Sequence, residues 1–230
     1  MAGWLDRLRR STSGPAGTGL AAHLRDYPPY AAPHAGPPTR WTLEQAHENL
    51  AYLLQHRDQR LQVLGELLAA EGIEVGRARD DGDWLPLVDA LHHWANARWP
   101  ALHEPDIVTE ATWLRSTRCD GEIAFSMLMD VALLLGELII RRHPGYRWDL
   151  DLDEVNGRDG MRSYLRPVLL LPAHGAMPSA VVLDLEDIVV SRYLHPEYKA
   201  NKLLNTWAQV VEDAVSGRYE AAWSAPARSS

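Results

Sequence analysis

The chain has 230 residues, of which 46% are apolar and 23% charged, and a formal charge of −8. That is enough length and apolar content for a substantial core, and the acidic balance excludes a nucleic-acid backbone as the main partner, because phosphate contacts need a positive patch. No apolar run approaches the ~18 residues of a membrane span, and the lone Cys119 together with an N-terminus lacking a secretory apolar core predicts a cytoplasmic chain without an internal disulfide.

Residues 1–40 read as an irregular Pro/Gly-rich segment. Within it, six of the 15 prolines fall between positions 11 and 40, in STSGPAGTGL and YPPYAAPHAGPPTR, a composition that predicts a surface or mobile lead-in. Ahead of these, Trp4, Leu5 and Leu8 alternate with arginines as a short amphipathic turn. The glycines of GPAGTG follow no strand and fit neither the Rossmann fingerprint nor the P-loop, so no cofactor is expected.

Order is predicted to begin at Thr42, a helix N-cap with Gln45 three residues on, as in a capping box. Leu43, Ala46, Leu50, Leu53 and Leu54 then recur at helical spacing, and Leu61, Leu64, Leu67 and Leu68 extend the stripe to Gly72 as one helix or two joined near Asp58. A second amphipathic helix runs from Asp83 to its stop at Pro100. From Asp120, DGEIAFSMLMDVALLLGELIIRRHPG reads as a central helix covered on nearly all sides, its last turn basic and its end marked by Pro144-Gly145. Gly136 in its interior costs about 1 kcal/mol relative to alanine, which implies close approach of another backbone.

The period then changes from 3.6 to two. Tyr146, Trp148, Leu150 and Leu152 alternate with Arg147, Asp149, Asp151 and Asp153, the pattern of a half-buried strand. A turn around Asn156-Gly157 leads to strands over 163–172 and 180–185, then a short helix from Leu185 to Leu194 and a closing helix near 197–216. The fold class is therefore α+β: a helical N-terminal part packed on a small antiparallel β-meander and closed by a C-terminal helix, with 41–223 as one domain and 224–230 as a tail.

The stretch RWDLDLDEVNGRDG, residues 147–160, superficially resembles a calcium loop. Aligned from Asp151, the place of the sharp-turn glycine falls on Asn156 and that of the bidentate glutamate on Arg162; aligned from Asp149, the glycine place falls on Glu154. The alternation instead makes Asp149, Asp151, Asp153 and Glu154 an acidic outer face that suits a basic partner. Other candidate groups are the carboxylates Glu122, Asp130 and Glu137 on the central helix, for acid–base work, and Cys119, whose thiolate a helix N-terminus would stabilise. His92, His93 and His103, with Glu104, are the metal-capable cluster, although adjacent helical histidines point about 100° apart and no metal is expected.

The run MDVALLLGELIIRRHPGYRWDLD from Met129 resembles a helix-to-strand unit of small uncharacterised bacterial domains and immunity-type proteins. The resemblance covers a quarter to a third of the chain and implies binding rather than catalysis. Two readings follow: a non-enzymatic protein that masks a basic protein partner, or an unfamiliar tailoring or hydrolytic enzyme with a carboxylate and histidine pocket beside the central helix.

Overall fold

Leu20 and Leu24, one helical turn apart, are both buried, and they anchor a short helix, Leu20–Leu24 (α1), where the sequence suggested only a surface lead-in. The computed structural model describes residues 19–76, 83–103, 109–175 and 177–224, so the Trp4–Leu8 turn, the glycines before Gly19, Glu104 and the final tail lie outside the described residues.

Thr42 caps the longest helix as its sequence predicts: its hydroxyl accepts from the Gln45 N–H at 3.2 Å, and the Gln45 side chain accepts from the Thr42 N–H at 2.9 Å. The helix, Leu43–Ala70 (α2), runs unbroken past Asp58. Leu85–Arg98 (α3) ends in a single 3-10 turn that absorbs Pro100, and Glu110–Arg115 (α4), capped by Thr109, is an element the periodicity did not reveal. The central helix, Ala124–Arg142 (α5), starts four residues later than expected because Asp120–Glu122 winds as a 3-10 turn. It packs against Leu185–Leu194 (α7), α2 and Thr206–Val215 (α9). By length and hydropathy the segment Asp120–Arg142 matches a membrane span, yet 83% of its most apolar window is buried inside the fold.

The sheet is a three-stranded antiparallel meander in the order β1-β2-β3, from Arg147–Leu150 (β1), Pro167–Leu171 (β2) and Val181–Leu183 (β3). Leu150 pairs with Pro167, which has no N–H to give, and the ladder ends there. This is why the alternation of the sequence fails after Leu150. Leu152, predicted inward, is 45% exposed, and Asn156-Gly157, predicted as a turn, lies inside a short helix, Glu154–Arg158 (α6). The last predicted helix is divided at Asn205, whose side chain accepts from the Ala208 N–H, into Lys199–Leu203 (α8) and α9; Arg218–Ser224 (α10) follows.

Gly136 marks a close approach, made by a ring instead of a backbone. A Cβ there would stand 2.3 Å from Cζ2 of Trp148, whereas one at Gly65 in α2 would meet nothing within 4 Å. Gly136→Ala is therefore expected to destabilise by about 1–3 kcal/mol through overpacking, and Gly65→Ala to stabilise by about 1 kcal/mol. Urea unfolding of the two variants checks both signs.

Candidate functional site

A cleft of about 640 Å³, solvent mouth included, opens between the strap of residues 30–41, the loop 113–118 and the start of β2. Its walls include Tyr30, Trp41, Trp113, Leu114, Met129 and Pro167. About 60 Å³ of that space is free for a water-sized sphere, the scale of a single small side chain or group, and mostly apolar clefts with a few converging polar groups are where proteins usually take ligands or a partner's side chains.

The strap is held from beneath by charge. Arg60 of α2 donates through Nε to Asp130 Oδ1 at 2.8 Å and through Nη1 to the carbonyl of Pro28 at 2.8 Å, and the Tyr27 hydroxyl donates to Asp130 Oδ2. Extended proline-rich backbone leaves its carbonyls free, and a buried guanidinium supplies the donors they lack. Ser126 adds a second tie: its hydroxyl accepts from the Tyr30 N–H and donates to the Arg118 carbonyl, each at 2.7 Å. Tyr27 and Tyr30 are thus part of the core, both buried, with Pro28 half-buried and Pro29 exposed between them, against the expectation of a loose lead-in.

At the cleft floor sits Glu186, from the first turn of α7. Its Oε1 accepts from Trp113 Nε1 at 3.0 Å and lies 2.7 Å from Arg118 Nη2, while Oε2 accepts from Arg166 Nη2 at 2.7 Å. Arg166 also reaches Asp184 at 2.8 Å and stacks 4.7 Å over the Trp113 ring, and Arg118 lies 5.2 Å over Tyr30. Burial alone would raise the Glu186 carboxyl, but Arg118 and Arg166 outweigh it and hold the pKa below its ordinary value. Burial pushes the Tyr30 hydroxyl well above its usual range, so it stays protonated.

Backbone strain gathers at the same place. Among the described residues only Arg118, Asp120 and Leu165 combine a side chain with positive φ, at 60°, 47° and 65°. One is a cleft arginine, one lies two residues beyond it, and one directly precedes Arg166. Such conformations cost about 1–3 kcal/mol each and persist where the surroundings enforce them, commonly at functional sites.

The residues singled out in the sequence fall elsewhere. Asp151, expected on the outer face, is fully buried: its carboxylate accepts from the Asp153 N–H, the Asn156 amide and the Ser163 hydroxyl, and its backbone pairs with Leu165 and Arg166. It organises the loop that delivers Arg166 to the cleft. Asp149 pairs with Arg147 at 2.9 Å, Asp153 caps α6 by accepting from the Val155 N–H, and Glu154 is exposed.

Asp130 and Glu137 do share a face of α5, but both are taken by α2, Asp130 by Arg60 and Glu137 by Arg57 at 3.5 Å with Trp148 Nε1 also donating to it at 3.1 Å. Glu122 precedes the helix and accepts from the Thr117 N–H. Cys119 lies five residues before α5, at the N-cap position of the 3-10 turn that leads into it, with Sγ 3.1 Å from the Thr117 hydroxyl. His92 is buried against the Lys202 carbonyl, His93 is exposed, and the His103 ring packs on Tyr193. Among the described residues no group of three or more metal-capable side chains converges.

In comparisons with known proteins, no family model, curated protein or solved structure matches this chain. The cleft therefore stands on its own geometry. Tyr30, Trp113, Arg118, Arg166 and Glu186 went unnoticed in the sequence because they lie on four separate segments and share no local spacing. A faint signal was present in Arg166-Pro167, since a proline opening a strand places an arginine at the sheet's end.

Proposed function

We propose that this chain is a non-enzymatic cytoplasmic protein of the immunity or accessory type, which works by binding another protein and seats a partner side chain in the cleft. The observation that carries the reading is the saturation of Glu186. A carboxylate shared by an indole and two guanidiniums is held ionised and is poorly suited to shuttle protons, and the neighbouring Asp184, whose carboxyl burial pushes up to about 6, is tied to Arg166 and to the Asp187 N–H. What remains open to a visitor is the aromatic and apolar wall with the protonated Tyr30 hydroxyl, the chemistry of an anchor pocket. The net charge of −8 would steer a basic partner toward it.

This shifts the weight of recognition away from the acidic stretch. Of Asp149, Asp151, Asp153 and Glu154, three already have structural duties, and only Glu154 is left uncommitted among the described residues. One observation favours the enzymatic alternative: His34 at the cleft mouth is paired with Glu48, as a carboxylate orients a catalytic histidine. Among the described residues no serine or cysteine is bonded to that histidine.

Ala35 is exposed and lines the mouth, so Ala35→Trp would plug the cleft without touching the core. With a partner identified by affinity capture, Ala35→Trp is expected to weaken binding about thirtyfold, the worth of one buried anchor of about 2 kcal/mol. Glu154→Lys should slow association only at low salt. Unchanged affinity for Ala35→Trp with a large loss for Glu154→Lys would return recognition to α6.

A further inference from the structure

Among the described residues three arginines are buried, and they are not alike. Arg60 is matched by Asp130, and Arg166 by Asp184 and Glu186. Arg192, on α7 and only 6% exposed, has no carboxylate within ion-pairing distance among the described residues. Its Nη2 donates to the His92 carbonyl at 3.3 Å and to the Asn96 side-chain oxygen, its guanidinium lies 4.9 Å over the Trp207 ring, and its Nη1 has no partner among the described residues. Burial without a counter-charge pulls the guanidinium down to about 10. An uncompensated buried cation is among the costlier things a fold can hold.

The same residue lines a small pocket where the end of α3 meets the 195–202 segment, about 240 Å³ with its open solvent mouth included and only about 10 Å³ of it free for a water-sized sphere. Trp99 lines it too, and its indole Nε1 is likewise buried and unpartnered among the described residues. Both orphaned groups can only donate. Asn201 and Lys202 complete the polar wall, and Lys199 and Lys202, the chain's only lysines against 21 arginines, both belong to α8 beside it. The nearby carboxylates are already engaged: Glu197 faces His195 at 3.5 Å, and Asp89 accepts from the Asn205 amide at 2.7 Å. His92, the other titratable group in contact, is turned to the Lys202 carbonyl.

We infer that this cavity is a binding site for a small oxyanion, a carboxylate or phosphate group, which accepts from Arg192 Nη1 and Trp99 Nε1 and is capped by Lys202. An anion supplies what a water molecule cannot, the missing negative charge as well as an acceptor. Both donors are sealed from solvent and the free space holds no more than about one water, so an anion enters only with an outward shift of the 195–198 turn and α8. The site is separate from the cleft, and its existence does not depend on how the cleft is used.

The test is a titration of the purified chain with inorganic phosphate and, separately, with acetate, at constant ionic strength held by chloride. The melting temperature should rise with concentration in at least one series, as linkage to a bound ligand requires, and the Trp99 indole proton resonance should move downfield in parallel. The series that responds identifies the oxyanion. Arg192→Met should abolish both responses, and Lys202→Gln, an exposed position that leaves the fold intact, should weaken the apparent affinity about fivefold, the worth of one exposed charge contact. If Arg192→Met does not fold, the indole shift and Lys202→Gln decide alone. A flat melting temperature with an unmoved Trp99 resonance, or equal responses in wild type and Lys202→Gln, would overturn the assignment.

Discussion

Asp130→Ala is expected to cost about 3–5 kcal/mol, because it strands the buried Arg60 guanidinium without its counter-charge. For a domain of this size the melting temperature should fall on the order of 10 °C. Asp130 is fully buried; burial raises its carboxyl, and Arg60 and the Tyr27 hydroxyl pull the other way, leaving it above its ordinary value. The double variant Arg60→Met with Asp130→Leu removes both charges and should recover most of the loss, since a well-packed apolar pair is commonly no worse than a buried ion pair. Recovery should remain incomplete. The carbonyls of Pro28 and Pro29 lose the donor that fixes the strap, so amides 30–36 should exchange faster in the double variant than in wild type. Calorimetry and hydrogen exchange check the two parts separately.

Glu186→Gln should have the second largest effect. The amide keeps one acceptor oxygen for Trp113 or an arginine, and Arg166 retains Asp184, so the expected cost at pH 7 is about 2–3 kcal/mol. Its pH dependence follows from the direction of the shift. Because the folded-state pKa lies below the ordinary 4.5, the unfolded chain binds the proton more readily, and the stabilising contribution is full above 4.5 and is lost as pH falls through the folded value. The Glu186 contribution to the stability gap between wild type and Glu186→Gln should therefore close toward pH 3, below a separate change near pH 6 from the neighbouring Asp184, whose carboxyl burial pushes up to about 6 and which also feels the Glu186 charge. Urea unfolding along that series measures it, and a gap that widened in acid would contradict the ion-pair account.

Local chemistry made much of this fold legible. The capping box at Thr42 and Gln45, the leucine stripe of α2 and the Pro-Gly stop of α5 are each set by neighbours within a few residues, and each is found in place. The meander was legible for the same reason, down to the inward Trp148 and Leu150. Reading failed where long-range partners override local pattern. Asp151 continues the outward alternation on paper, but the ladder ends at Pro167 and the carboxylate turns in to satisfy loop donors. Tyr27 and Tyr30 sit in a proline-rich stretch that would be unstructured by itself, and it is ordered by Arg60 and Ser126 from two distant helices. The cleft was the least legible feature, because Tyr30, Trp113, Arg118, Arg166 and Glu186 meet only once α5, α7 and β2 have packed.

The reading of a recognition cleft is tested most directly by hydrogen exchange on the chain with and without its captured protein partner. The account predicts protection on binding in residues 30–38 and 113–118, with 147–158 unchanged. Protection confined to 147–158, with exchange at the cleft segments unaltered, would contradict it.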